Sequence, residues 1–317
     1  MKRLVADDLR GIWSAVLISW DANGNFDEDN YRINIERTIK SNVHGVYTTG
    51  SSGEFYALDY KEFCLMVDIQ DEICGKSNMP LQIGCCTDST RKTIKLLEYA
   101  NSKPNVGGVQ VAIPYWMELN DRELVQFFRD ITTACPEMPL IHYNIPRSKR
   151  FLNGKDYKRI LDVAPNLIGV KYTFADSNFG QLQNNIMETP NLSYSVGESL
   201  LASGMMIGAR GCYSAVINTN PKVVLSLYDY ASNGSWDKAV NVQKQVVEFV
   251  NGLVNLIQAR GEGTMDPVID KGMAVASGYY AGSQKIRPPY IGWSDETIIC
   301  VRKWMEEKYP KFVYHGE

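Results

Sequence analysis

The chain has 317 residues, of which 44% are hydrophobic and 22% charged, and its formal net charge is -3. This is the profile of a soluble globular protein and excludes a nucleic-acid binder, which would carry a basic face. The length suits two ordinary domains or one (β/α)8 barrel with an appendage.

The chain opens on "MKRLVADDLRGIW", which lacks the apolar core of a signal peptide. No later stretch approaches the roughly 18 uninterrupted apolar residues of a membrane helix, so a cytoplasmic protein without a membrane partner is expected. Short β-branched or apolar runs then recur at 11–19, 45–50, 81–86, 107–114, 139–144, 167–172, 192–197 and 208–215. Between them lie segments with 3.6-residue apolar spacing, such as "NYRINIERTIKSN" and "DRELVQFFRDITTAC". Eight strand-helix units in this span predict a closed parallel barrel over 1–218. From 219 to 317 the pattern is helical, with "GEGTMDPVIDKG" and "GSQKIRPPYIGW" reading as loops, so a C-terminal helical region packed on the barrel is expected. Cys64, Cys74, Cys85, Cys86, Cys135, Cys212 and Cys300 show no C-x-x-C spacing and read as reduced. Three histidines without ligand-like neighbours argue against a zinc site, and no cofactor or metal is expected.

In such a barrel the reactive groups stand where strands end and βα loops begin. Lys171 lies near the end of the sixth run, inside "IGVKYTFAD", where an apolar wall would disfavour its charged form. A neutral amine can attack a ketone carbon to form an imine, whose protonated form draws electrons from a breaking C–C bond. Tyr143 ends the run before, 28 residues earlier, and can move the protons. "TTGSSGEF" closes the second run; its glycines let the backbone approach a ligand, and Ser51 and Ser52 suit a carboxylate. Glu54 reads as a brace for that turn rather than a catalyst. "GARGCYSA" is Gly-rich at the eighth run and could line the same mouth.

The elements "GSSGE" (50–54), "YNIP" (143–146), "GVK" (169–171) and "GARGCYS" (208–214), in this order, resemble the dihydrodipicolinate synthase / N-acetylneuraminate lyase family of Schiff-base (class I) aldolases. The resemblance implies a TIM barrel in which Lys171 forms the imine, Tyr143 relays protons and Ser51 and Ser52 hold the carboxylate of a 2-oxo acid. It also implies that the main chain of Tyr213 faces that carboxylate, and that the protein is a homotetramer.

The departures speak to the substrate. Synthases of the family place an arginine for a dicarboxylic substrate where this chain has Ser148, and a tyrosine where it has Trp116. Aspartate semialdehyde is therefore expected to be a poor partner. Trp116 would suit a flat apolar tail by stacking, whereas a polyhydroxy tail would use Thr173, Glu198 and Ser214. The first reading is a lyase that cleaves a substituted 2-oxo acid to pyruvate and an aldehyde, an aldolase or hydratase-aldolase. The alternative is a dehydratase or aldolase of a sugar-derived 2-keto-3-deoxy acid or an N-acetylneuraminate-like substrate. A lysine-pathway synthase and a non-catalytic 2-oxo-acid-binding protein stand behind these.

Overall fold

Every one of the eight apolar runs contains a strand: β1 (Gly11–Ala15), β2 (Gly45–Thr48), β3 (Leu81–Gly84), β4 (Gly108–Val111), β5 (Leu140–Asn144), β6 (Leu167–Tyr172), β7 (Ser193–Val196) and β8 (Gly211–Ser214). The computed structural model describes residues 3–173 and 179–316, and in it these strands pair in chain order, all parallel, with β8 closing on β1. Short buried runs with helical crossovers leave a parallel sheet as the natural outcome, and closure removes its edges.

Among the described residues the barrel helices are α1 (Glu28–Lys40), α2 (Tyr60–Ser77), α3 (Thr90–Asn101), α4 (Asp121–Ala134), α5 (Gly154–Leu161), α6 (Phe179–Glu188) and α7 (Leu201–Met206). The sequence starts several of them with a reciprocal cap: Asp59 with Glu62 opens α2, Asn120 with Glu123 opens α4, and Asn153 with Asp156 opens α5. Each such pair satisfies amide donors that the first turn leaves free. Then follow α8 (Pro221–Ser232), α9 (Trp236–Ala259), α10 (Val268–Ser277) and α11 (Asp295–Lys308). α8 falls within the stretch expected as appendage, yet it packs on α7 and β1 as an eighth outer helix. The "GEGTMDPVIDKG" stretch is a loop only in its first half. Pro267 stands just before the helical residues and its fixed φ suits a helix start, so α10 runs from Val268.

The link from β2 to α2 is bent by two non-glycine residues in the left-handed region, Thr49 (φ 55) and Glu54 (φ 49). The Thr49 hydroxyl offsets this by donating to the Gly84 carbonyl at 2.8 Å and accepting from the Gly84 N–H at 2.9 Å. Gly84 has to be glycine, since a Cβ there would meet the Thr49 carbonyl oxygen at 2.3 Å. Glu54 is fully buried and accepts from Trp20 Nε1 at 2.9 Å, from the Arg287 N–H at 3.2 Å and from Lys271 Nζ of α10. Lys271, equally buried, also donates to the Lys285 carbonyl at 2.8 Å. The serine turn is thereby tied to α10 and to the 285–287 segment, and Glu54 braces it as its position suggests.

A charge left alone in this place would be costly. Lys271→Met is expected to lower unfolding stability by about 3–5 kcal/mol, and adding Glu54→Gln should restore a good part of it. Denaturant titration measures both. A loss below about 1 kcal/mol, the range of an exposed pair, would show that the pair is not the brace described.

Candidate active site

Lys171 points into the barrel from β6 and is 7% exposed. It pairs in register with Tyr143 of β5, so the strand ladder itself sets amine and phenol side by side. Its Nζ lies 4.1 Å from the centroid of the Tyr143 ring, 4.4 Å from that of Tyr47 and 5.4 Å from that of Tyr213, and donates to the Tyr47 hydroxyl at 3.2 Å. Burial pushes the Lys171 amine down to about 8, and the nearby Asp266, Cys86, Asp270 and Glu198 only partly offset it. The serine turn borders the amine, since a Cβ on Gly50 would stand in ordinary contact 3.8 Å from Nζ.

Tyr143 turns its hydroxyl toward Ser51 Oγ, 3.4 Å away. Burial raises the Tyr143 phenol well above its ordinary range, so it rests protonated and able to donate. In the serine turn the N–H groups of Gly53, Glu54 and Phe55 close back on Gly50 and Ser51, which leaves the N–H groups of Ser51 and Ser52 unclaimed among the described residues. A carboxylate set against them would find two amides and two hydroxyls.

Tyr143 and Ser51 also line a cavity of about 340 Å³, together with Phe55, Tyr56, Tyr115 and Tyr290. Lys171 is not among its lining residues and adjoins it through the Tyr143 ring, 4.1 Å from Nζ. Arg147, Ser148 and Asp266 supply polar wall, but Arg147 is held by both carboxylate oxygens of Asp266. Burial works to raise the Asp266 carboxyl; Arg147, with Lys171 behind it, outweighs this and holds it below the usual range. Asp270 of α10 is pushed up to about 7, first by burial and then by Asp266, with the Ser52 hydroxyl opposing. A larger groove of about 740 Å³ runs outside the barrel between α1 and α8 and holds none of these groups.

The remaining residues singled out from the sequence lie elsewhere. Trp116 is 76% exposed on the rim and is not a wall of the cavity; its neighbour Tyr115 takes the inward direction. Thr173 is half-buried and its N–H bonds the Asn144 carbonyl at 3.0 Å, ahead of residues 174–178, which lie outside the described residues. Ser214 is fully buried, its hydroxyl accepting from the Ile217 N–H at 3.0 Å. Glu198 accepts from the Val216 N–H at 3.0 Å, and burial raises its carboxyl. Neither they nor Tyr213, whose hydroxyl donates to Gln82 Oε1 at 2.8 Å, line the cavity. Tyr47, Asp266 and Asp270 escaped the sequence reading. A tyrosine in a strand reads as core, and the two aspartates sit in a stretch that reads as loop.

Residues 8–294 match the model of the dihydrodipicolinate synthetase family. The 4-hydroxy-tetrahydrodipicolinate synthase of Ehrlichia canis is 29% identical over 224 residues, covering 70% of this chain and 74% of that one. Among solved structures, YagE, a prophage protein of the dihydrodipicolinic acid synthase family from E. coli K12 in complex with pyruvate, superimposes with a TM-score of 0.85 at 23% identity, over 94% of this chain and 98% of that one. CdNal from Clostridium difficile, in complex with mannosamine, gives 0.81 at 22% identity, over 96% and 99%. At these identities the two structures speak to the fold.

The shifted amine has a direct readout. In competitive carbamylation with cyanate followed by peptide mass spectrometry, Lys171 should reach half its limiting reactivity near pH 8, while exposed lysines do so near about 10.4. A midpoint for Lys171 at the exposed value would contradict the desolvated site.

Proposed function

The chain belongs to the dihydrodipicolinate synthetase family, a family of pyruvate-dependent carbon–carbon lyases of the class I aldolase type, and on that premise we propose that it cleaves a 2-oxo acid with a flat, apolar tail to pyruvate and an aldehyde. The observation that carries this reading is the Lys171 amine, desolvated among three tyrosine rings, one of which, Tyr143, also lines a cavity walled by Phe55, Tyr56, Tyr115 and Tyr290.

The positions support the following course. The neutral Lys171 amine attacks C2 of the 2-oxo acid, whose carboxylate rests on Ser51 and Ser52, and loss of water leaves a protonated imine. Tyr143 gives its proton to the hydroxyl that departs as that water and, as the phenolate, takes the proton of the C4 hydroxyl as the C3–C4 bond breaks. The bonding pair moves to the imine nitrogen, the aldehyde leaves, and Tyr143 returns the proton to C3 of the enamine. Water then hydrolyses the imine to pyruvate and the free amine, and the proton this sets free returns Tyr143 to its neutral form. In a hydratase-aldolase the same imine would first add water across the C3–C4 double bond.

The wall favours this tail over the alternatives. Thr173, Glu198 and Ser214, which a polyhydroxy tail would need, do not line the cavity. A second carboxylate would look for a free guanidinium, and Arg147 is engaged by Asp266 while Arg150 is engaged by Asp121 and Asp156. A mere binder has no use for a lysine whose neutral form is brought within reach of neutral pH. Assembly as a cytoplasmic homotetramer belongs to the same proposal and rests on the resemblance.

Lys171→Ala and Lys171→Arg should both abolish turnover in a folded protein, because a guanidinium stays charged. Tyr143→Phe should lower kcat by roughly 10²–10⁴-fold, the span of a positioned acid–base group. In a coupled assay of pyruvate release, 2-oxo acids with aromatic tails should outrun polyhydroxylated ones. Activity in either Lys171 variant would sink the imine, and a preference for polyhydroxylated acids would sink the proposed tail.

A further inference from the structure

The steps above leave a second phenol beside the lysine without a task. Tyr47 stands inside β2, buried, and among the described residues Lys171 Nζ is the one hydrogen-bond partner of its hydroxyl, at 3.2 Å. Tyr143 differs: it presents its ring to Nζ and its hydroxyl to Ser51. Tyr213 differs too, since its hydroxyl is committed to Gln82 Oε1, which also accepts from Gln110 Nε2 at 2.9 Å. The three tyrosines therefore divide the space, with one phenol oxygen set aside for the nitrogen.

An ammonium has three N–H groups to place, but a protonated imine has one. In a site this dry an N–H⁺ without an acceptor gives up its proton, and a neutral imine is a poor electron sink. Resting on the imine reading above, we propose that Tyr47 accepts the single N–H of the protonated imine on Lys171 and so keeps it in the charged form through C–C cleavage. No proton is transferred to Tyr47. Burial raises its phenol well above the ordinary range, so it stays neutral and its oxygen stays available.

The other groups facing Nζ do not replace it. They are Tyr143 of β5, Tyr213 and Cys212 of β8, Cys86 beyond β3, Glu198 beyond β7, and Asp266 and Asp270 at the start of α10. The three carboxylates act through space, and among the described residues none of them lies within hydrogen-bond distance of Nζ.

The test is cyanoborohydride trapping of pyruvate across a pH series, in the wild type, Tyr47→Phe and Tyr194→Phe. Trapping needs a neutral amine to form the imine and a protonated imine to be reduced, so it rises and then falls with pH. Hydrogen bonds to charged groups are about twice as strong as those to neutral ones. Deleting the Tyr47 oxygen therefore lowers the pKa of both ammonium and imine, and both limbs should slide down by about one pH unit. Tyr194→Phe removes an equally buried hydroxyl, paired with Thr189 Oγ1 at 2.6 Å and away from Nζ, and its profile should coincide with the wild type. In the wild type alone, the C=N stretch of the imine should remain sensitive to deuterium well above neutral pH, a readout independent of how the variant folds. An unmoved Tyr47→Phe profile, an equal shift in Tyr194→Phe, or loss of deuterium sensitivity at neutral pH overturns the role of Tyr47. No adduct in the wild type overturns the imine itself.

Discussion

Taking one amine out of water is the constraint around which this molecule is arranged. An isolated ammonium in a protein interior is unfavourable enough that a lysine either finds a counter-charge or loses its proton. Lys171 takes a middle course. Its immediate neighbours are tyrosine rings and one phenol oxygen, and the carboxylates of Asp266, Asp270 and Glu198 stand further back. The rings remove solvent, and the distant carboxylates stop the fall near 8, where both protonation states are within reach of neutral pH. Had a carboxylate been bonded directly to Nζ, the lysine would have stayed charged and inert as a nucleophile.

Much of the surrounding structure holds this arrangement in place. The β5–β6 register sets Tyr143 opposite Lys171, and the Thr49–Gly84 contact locks the serine turn against the end of β3. The buried Glu54–Lys271 pair ties the same turn to α10, the helix that also carries Asp270. A change in the C-terminal helices is thus transmitted to the carboxylate-binding serines and to the charges that face the amine. The helical region beyond the barrel is part of the site's support, and its polar residues reach the cavity through Asp266.

What was legible in the sequence was whatever one strand or one turn decides by itself. The eight apolar runs stood out because a barrel strand is buried on both faces and reads as a short, dense stretch. Lys171 stood out because nothing else in its run is charged, and Tyr143 because one βα unit separates them. Contacts between distant residues were not legible: Arg147 meets Asp266 across 119 positions and Glu54 meets Lys271 across 217. Side-chain direction at the rim was equally hidden, since Tyr115 and Trp116 are adjacent aromatics and only the backbone path decides which of them faces the cavity. Tyr47 was missed because an aromatic residue in a barrel strand is what a core requires, and its hydroxyl has meaning only once Lys171 is seen beside it.

The central claim is that Lys171 is a nucleophile, and a crystal structure of the protein soaked with pyruvate tests it most directly. The account predicts continuous electron density from Lys171 Nζ to C2 of pyruvate, with the carboxylate on Ser51 and Ser52 and the methyl carbon toward the cavity bounded by Tyr115 and Tyr290. Pyruvate held without a bond to Lys171, or bound away from the serine turn while the amine stays free, would contradict it.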